Sequence, residues 1–207
     1  MPDNRKARVA VLISGNGSNL QALIDAAANP DYPATIELVI SNKDDIYGLT
    51  RAQQAGISQH VIELKHYQSR EECDEAMHEA LIEFNIDYVV LAGFMRLLTP
   101  QFVNKWEGKM INIHPSLLPS FKGSHAVHDA LRYGVKVTGC TVHFVTSEMD
   151  SGPIIIQSTV PVYNQDDEAR LLDRIHEAEY TSLPLALQLL TSGRLSIHDR
   201  RVHINTL

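Results

Sequence analysis

The sequence is poor in the residues that mark disulfide-rich, nucleic-acid-binding and membrane proteins. It has two cysteines in 207 residues, Cys73 and Cys140, without CxxC spacing, so we expect reduced thiols rather than a disulfide framework. The formal charge is −7 and no basic run appears, which argues against a nucleic-acid partner. No apolar run approaches the length of a membrane span, and no signal-peptide core follows residues 1–6. These absences predict a soluble cytoplasmic protein that contacts neither nucleic acid nor membrane.

Apolar strands alternate with helical segments through the first half of the chain. The alternation favours right-handed crossovers and a mostly parallel sheet. The run at 8–14 is almost wholly apolar, which indicates a strand buried on both faces. Strands are expected over 8–14, 35–41, 61–64, 87–92 and 110–113, with helices over 19–28, 48–55, 69–85 and 100–106.

The pattern changes after His114. Two β-rich runs, 135–145 and 154–162, flank a polar loop with glycine, which favours an antiparallel, hairpin-like end to the sheet. A helix is expected over 171–190, with Pro184 kinking or breaking it, and the polar tail alternates like a strand. The chain is therefore predicted to be one α/β, Rossmann-like domain with a mostly parallel central sheet and antiparallel C-terminal strands.

The glycine turn after the first strand, 15–19, resembles an anion site. Glycines allow a close backbone approach, and a helix N-terminus offers unpaired N–H groups to a phosphate. Leu20 stands where a dinucleotide-binding turn needs a third glycine, so a nicotinamide cofactor is not expected. Ser18 and Asn19 supply donors suited to a phosphate monoester. The alternative is a tight turn, capped by Ser or Asn, that binds no ligand.

The strand at 110–113 ends in a candidate catalytic pair. Asn112 and His114, two residues apart, point to one face of the strand. A neutral donor beside a titratable donor is what the oxyanion of an acyl transfer needs. The alternative is that His114 only ends the strand and hydrogen-bonds a nearby carbonyl. Pro115 biases His114 toward extended geometry in either case.

Four segments resemble the phosphoribosylglycinamide formyltransferase family, and together they cover essentially the whole chain in order. They are Val11–Leu20, Leu91–Leu98, Asn112–Pro119 and Val142–Pro153. The resemblance implies a formyltransferase-like fold. It also implies transfer of a formyl group from 10-formyltetrahydrofolate to the amine of 5-phosphoribosylglycinamide in de novo purine (IMP) biosynthesis, without a metal.

The resemblance also implies a role for individual residues. Asn112, His114 and Asp150 match the catalytic set. Matches to the nucleotide site are Gly17, Ser18 and Asn19 for the phosphate and Glu179 for the ribose. Matches to the folate site are Arg70, Met95, Arg96, Leu97, Leu98 and Asn112. Residues 7–110 would form the phosphate-binding half and residues 111–207 the folate-binding and catalytic half of a single domain over 1–207.

Several of these residues have a purely structural alternative. Arg70, Arg96 and Glu179 could be solvated surface charges, and Asp150 could be a turn residue before glycine. His125 and His128 are spaced for a metal but lack a third ligand, so helix-face histidines are expected. His143 in its strand and Cys140 are expected to be structural.

The chemistry follows from the residue types. Asn112 can donate to the negative oxygen of a tetrahedral intermediate, and His114 can donate as imidazolium or pass a proton. Asp150 beside His114 would stabilise the imidazolium and carry the proton to the leaving folate nitrogen.

Two other classes of function compete. The first is another 10-formyltetrahydrofolate enzyme with the same Asn-His-Asp core, such as methionyl-tRNA formyltransferase or formyltetrahydrofolate hydrolase. Those enzymes add a tRNA-binding or a regulatory domain, which is not expected here. The second is a non-catalytic nucleotide-binding module that uses only the glycine turn. The expected partners are small molecules, and the expected assembly is a monomer or homodimer.

Overall fold

The structure, a computed structural model, describes residues 5–205. Residues 1–4 and 206–207 lie outside the described residues. They include both ends of the predicted domain and most of residues 1–6, the segment after which no signal-peptide core is expected. The strands are β1 (Ala7–Ile13), β2 (Ala34–Ser41), β3 (Ser58–Val61), β4 (Tyr88–Leu91), β5 (Met110–His114), β6 (Val137–Phe144), β7 (Ile154–Pro161), β8 (Leu195–His198) and β9 (Arg201–Ile204). The helices are α1 (Ser18–Ala27), α2 (Tyr47–Gln54), α3 (Arg70–Glu83), α4 (Pro100–Lys105), α5 (Ala126–Tyr133) and α6 (Glu168–Thr191).

All these strands belong to one nine-stranded sheet in the order β3-β2-β1-β4-β5-β6-β7-β9-β8. The strands from β3 to β5 are parallel to one another. From β5 through β6 to β7 the pairing is antiparallel, and β9 forms an antiparallel hairpin with β8 while lying parallel to β7. The predicted fold class, a mostly parallel sheet with antiparallel C-terminal strands, is confirmed.

The central strand β1 divides the core into two layers. Val9, Val11 and Ile13 pack on the face that α1 and α6 cover. Ala10 and Leu12 pack on the opposite face, among buried side chains of α3 and α4. Because successive side chains of a strand point to opposite faces, an apolar run needs apolar partners on both sides. The prediction of a strand buried on both faces is confirmed.

Three local predictions differ from the structure. The third strand lies at 58–61 rather than 61–64, because it is a polar edge strand without an apolar signature, and residues 64–66 form a 3-10 turn. Helix α5 lies in a stretch for which no helix bounds were predicted, although His125 and His128 were expected on a helix face; His128 lies in α5 and His125 is its N-cap. Helix α6 runs without a break through Pro184, whose carbonyl accepts a hydrogen bond from the Tyr32 hydroxyl at 2.7 Å. Packing of α6 on α1 and the sheet therefore outweighs the local cost of proline.

The two cysteines are unbridged and buried, as expected. Within residues 5–205, no helix combines the length and the apolar character that crossing a membrane requires.

Candidate active site

The glycine turn passes directly into α1, and its geometry depends on Gly17. This residue has a φ of 75°, and a Cβ on it would lie 2.7 Å from the Cα of Gly48 at the start of α2. Gly48 in turn donates its amide to the Gly15 carbonyl at 3.1 Å. Arg51 donates from Nε to the Asn16 carbonyl and from Nη2 to the Asn16 side chain, both at 3.0 Å. The turn is therefore held against α2 at a point where only glycine fits.

The first turn of α1 contains no acidic side chain. Its N–H groups and the helix dipole thus keep a net attraction for an anion. The structure differs from expectation at Asn19, whose side chain is buried and donates from Nδ2 to Glu179 Oε2 at 2.7 Å. Asn19 therefore offers a phosphate its backbone N–H, while its side chain belongs to a second contact.

Glu179 is buried, not a solvated surface residue, with 3% of its surface exposed. Burial raises the pKa of its carboxyl to about 7, although the hydrogen bond from Asn19 acts in the opposite direction. Asn19 Oδ1 is buried without a hydrogen-bond partner among the described residues. The pair thus presents a carboxylate and an amide oxygen that can accept hydrogen bonds from a hydroxylated ligand. It also joins the two predicted halves of the chain, since α1 and α6 lie in different halves.

The candidate catalytic residues converge where β5 pairs with β6. The antiparallel register sets Asn112 opposite His143 and His114 opposite Thr141. Asn112 Nδ2 lies 3.2 Å from His143 Nε2, and His114 Nδ1 lies 3.6 Å from Asp150 Oδ2. His143 Nε2 is in turn 3.9 Å from Asp150 Oδ1. The structure brings the three predicted residues together and adds His143 between two of them.

His143 was expected to be structural, and its structural contacts lie inside the candidate site. Its Nδ1 lies 2.9 Å from the Phe144 carbonyl, so Nδ1 carries the proton and Nε2 is left to accept from Asn112. Burial lowers the pKa of His143, and the nearby His114 lowers it further, against raising effects of the Phe144 carbonyl and Asp150. The neutral ring therefore fixes which way the Asn112 amide points.

His114 is 5% exposed and has a partner at each ring nitrogen. Nε2 lies 2.9 Å from the Phe121 carbonyl, to which it donates, and Nδ1 faces Asp150. Asp150 in turn accepts the Gly123 amide at 2.8 Å. The loop 120–124 thus contacts both members of the pair. A proton on Nδ1 would lie against the carboxylate, which is the arrangement needed to pass it between these two groups.

The segment after β4 lies beside the glycine turn. The Met95 amide donates to the hydroxyl of Ser14, the residue that follows β1, at 2.7 Å. Met95 and Leu97 are exposed, at 70% and 61%. Arg70 donates from Nη2 to the Leu97 carbonyl at 2.8 Å, so it lies against the 95–98 segment. The exposed apolar side chains form an open wall at the carboxyl edge of the sheet.

Arg96 is the exception in this segment, because its side chain turns inward. It forms an ion pair with Asp74 of α3, and both side chains are buried. Asp74 also accepts the Thr99 amide at 2.7 Å. The guanidinium therefore anchors the segment, and only the backbone of Arg96 remains to meet a ligand.

Two other histidines considered in the sequence, His125 and His128, do not join the candidate catalytic residues. His128 pairs with Glu168 at the surface, at 2.6 Å, and His125 stands at the N-cap of α5. In the described part of the chain, no group of three His, Cys, Asp or Glu side chains is arranged to hold a metal ion.

Known proteins match this chain over most of its length. Residues 7–187 match the family model described as formyl transferase. The human trifunctional purine biosynthetic protein adenosine-3 is 56% identical over 95% of this chain and 20% of that protein, so the chain spans about a fifth of it. Phosphoribosylglycinamide formyltransferase of Escherichia coli strain K12 is 45% identical over 92% of this chain and 90% of that protein. The crystal structure of glycinamide ribonucleotide transformylase 1 from Symbiobacterium toebii superposes with a TM-score of 0.96, at 44% identity, over 99% of this chain and 96% of that one.

These matches agree with the convergence of the Asn, His and Asp side chains at one edge of the sheet. The family expected from the four sequence segments is confirmed. The chain belongs to the formyl transferase family.

Proposed function

We propose that the chain transfers the formyl group of 10-formyltetrahydrofolate to the amine of 5-phosphoribosylglycinamide, a step of de novo purine biosynthesis. The observation that carries the proposal is the cluster of Asn112, His114 and Asp150, which lies at the same sheet edge as the N-terminus of α1. The names of the similar human and Escherichia coli proteins support the same reaction.

In the catalytic step, the amine attacks the formyl carbon and forms a tetrahedral intermediate with a negative oxygen. Asn112 donates to that oxygen from the N–H that His143 leaves free, so its orientation is set before the reaction. His114 exchanges its contact with the Phe121 carbonyl for the reacting group. Asp150 takes the proton that the attacking amine loses and returns it, directly or through water, to the leaving folate nitrogen.

The phosphate of the acceptor is held by the backbone of Gly17, Ser18 and Asn19 and by the Ser18 hydroxyl. The ribose hydroxyls are held by Glu179, with the unpartnered Asn19 Oδ1 as a second acceptor. A nucleotide that contacts both the glycine turn and Glu179 must lie along the start of α1. The phosphate and ribose contacts therefore use both ends of the sequence.

The folate lies along the 95–98 segment. Met95 and Leu97 supply apolar contact to its ring system, Arg70 supplies a positive charge, and the backbone of Arg96 and Leu98 supplies polar contacts. Asn112 is shared between the folate and the reaction. We further propose a cytoplasmic location, a monomer or homodimer, and small molecules as the only partners.

The test is a formyl-transfer assay with a panel of amine acceptors, in which turnover is measured as the change in folate absorbance. The proposal expects turnover only when 5-phosphoribosylglycinamide is present, and little turnover with its dephosphorylated riboside. Release of formate without any acceptor would instead identify a hydrolase. Transfer to methionyl-tRNA, or binding of the nucleotide without turnover, would identify the other competing functions.

A further inference from the structure

Asp150 holds an unusual backbone conformation for a residue placed in catalysis. Its φ is 50°, in the left-handed region that few residues other than glycine adopt, although Asp enters it more readily than most. The next residue but one, Gly152, is pressed against the Phe144 carbonyl, since a Cβ there would lie 1.7 Å from that oxygen. The turn that carries Asp150 is thus confined on its inner side.

On the outer side, two cations meet at the following residue, Ser151, which is itself buried. Arg200 donates from Nη2 to the Ser151 carbonyl at 2.9 Å. Lys122 donates from Nζ to the Ser151 hydroxyl, and that hydroxyl donates to the Met149 carbonyl at 3.1 Å. Both the carbonyl and the hydroxyl of Ser151 are therefore tied by positively charged donors from elsewhere in the chain.

Arg200 reaches Ser151 because of the C-terminal hairpin. Strand β9 pairs in parallel with the start of β7 at Ile154 and Arg201, close to the catalytic turn. Asp199, with a φ of 57°, makes the tight turn between β8 and β9 that presents Arg200. Lys122 comes from the loop whose Phe121 carbonyl and Gly123 amide already contact His114 and Asp150. One side of the turn is thus held by the hairpin, the other by this loop.

We propose that Arg200 and Lys122 are positioning residues that act through Ser151 to keep the Asp150 carboxylate beside His114. The inference rests on the proposed function of Asp150 as the proton carrier. Charge-assisted hydrogen bonds are stronger than neutral ones and hold their acceptors more firmly. When they are absent, the turn relaxes toward an ordinary backbone conformation, and the carboxylate moves away from the imidazole.

The test compares kcat and KM of the variants Arg200→Ala, Arg200→Lys and Lys122→Ala with Arg201→Ala as the matched control. Arg201 is the neighbouring arginine of the same hairpin and is exposed, and its pairing with β7 is through the backbone, which alanine keeps. We expect kcat to fall roughly three- to tenfold in Arg200→Ala and in Lys122→Ala, about the effect of losing one intramolecular hydrogen bond. Both KM values should stay within twofold. Arg200→Lys should restore most of kcat, because an ammonium can also donate to the Ser151 carbonyl.

Ser151→Ala distinguishes the Lys122 contact from the Arg200 contact. It removes the hydroxyl that Lys122 binds and keeps the carbonyl that Arg200 binds. Because it also removes the hydrogen bond to the Met149 carbonyl, it should lower kcat at least as much as Lys122→Ala, and adding Lys122→Ala to it should cause little further loss. In an Asp150→Asn background, Arg200→Ala should cause no further loss in the residual activity, because a positioning residue acts only through the residue it positions. Thermal melting of each variant checks that the fold is kept.

Two results would overturn the positioning role. One is a wild-type kcat in folded Arg200→Ala and Lys122→Ala when Asp150→Asn has lost most of its activity. The other is a loss in Arg200→Ala that persists in full in the Asp150→Asn background. If Asp150→Asn itself keeps its wild-type kcat, the proton-carrier role in the proposed function fails, and the positioning role falls with it.

Discussion

Asn112 and His143 face each other across β5 and β6, with the amide nitrogen 3.2 Å from the imidazole Nε2. Because His143 Nδ1 donates to the Phe144 carbonyl, the ring can only accept at Nε2. An Asn112 amide turned the other way would set two acceptors against each other. The contact therefore gives the amide one orientation, with its remaining N–H available to a ligand.

Replacing Asn112 tests this donor directly. Asn112→Ala should lower kcat roughly 100- to 1,000-fold, the usual effect of removing one oxyanion donor. His143→Ala should cost less, roughly five- to tenfold, because it frees the amide without removing it. Circular dichroism must first match the wild type. A folded Asn112→Ala variant with less than a tenfold loss would rule out the donor role.

A second prediction concerns His114. His114→Ala should nearly abolish turnover and leave the affinities for folate and nucleotide within a few-fold of wild type, because the ring acts on charge that appears only in the transition state. His128→Ala is the control, since His128 is an exposed histidine paired with Glu168. Steady-state kinetics and equilibrium binding measure both properties. A near-normal kcat in His114→Ala would end the assignment.

A third prediction concerns Gly17. Gly17→Ala should raise the nucleotide KM strongly and leave the folate KM unchanged, because the new Cβ would meet Gly48 at 2.7 Å and shift the turn. Gly56→Ala is the matched control. Gly56 has a similar φ of 70° but open space around it, so it isolates the backbone cost. Equal nucleotide KM values in the two variants would mean that the turn holds no phosphate. Ser18→Ala should act more mildly than Gly17→Ala, because the backbone donors remain.

A fourth prediction concerns pH and Glu179. The pKa of this carboxyl rises from 4.5 to about 7 in the fold, chiefly because of burial. Between these values the folded protein keeps a proton that the unfolded chain releases. The contribution of Glu179 to stability is therefore complete below about pH 4.5 and is lost as the pH rises through about 7, at 1.36 kcal/mol per pKa unit.

The variant Glu179→Gln stays neutral and should not show this loss. Its melting temperature relative to wild type should rise between about pH 5 and about pH 8. Other titrating groups cancel in that difference. The same variant should bind the nucleotide more weakly above neutral pH, where the wild-type carboxylate accepts the ribose hydroxyls. A melting difference that is constant with pH would contradict the raised pKa of Glu179.

Much of the fold could be predicted from hydrophobic pattern, because buried strands such as β1 need apolar residues on both faces. The polar edge strand at 58–61 lacks that signal, and its position was predicted wrongly. Proline disfavours the interior of a helix, but at Pro184 the packing of α6 outweighs this local preference. The helix predicted over 69–85 begins where expected, with Ser69 as the N-cap of α3. Ser69 accepts the Glu72 amide at 3.1 Å, while the Glu72 carboxylate accepts the Gln68 amide at 2.8 Å.

The candidate site was predictable only where its residues lie in local motifs. Asn112 and His114 share one strand face, so their proximity follows from spacing. His143 could have been found only by assuming the β5–β6 register, since the residue opposite Asn112 is fixed by the pairing and not by any motif. Arg96 matches a folate-contacting motif, yet its side chain forms an ion pair with Asp74 of α3. No sequence spacing predicts this contact between two separate segments.

The hydrogen bond between Asn19 and Glu179 joins residues 160 positions apart in the chain. A ribosome makes the glycine turn first and α6 among the last elements, roughly 10 to 30 seconds later. A nascent or truncated chain can therefore carry a formed glycine turn and still lack the carboxylate proposed to hold the ribose. Full affinity for the acceptor would then report that synthesis has passed residue 179 and that α6 has docked on α1.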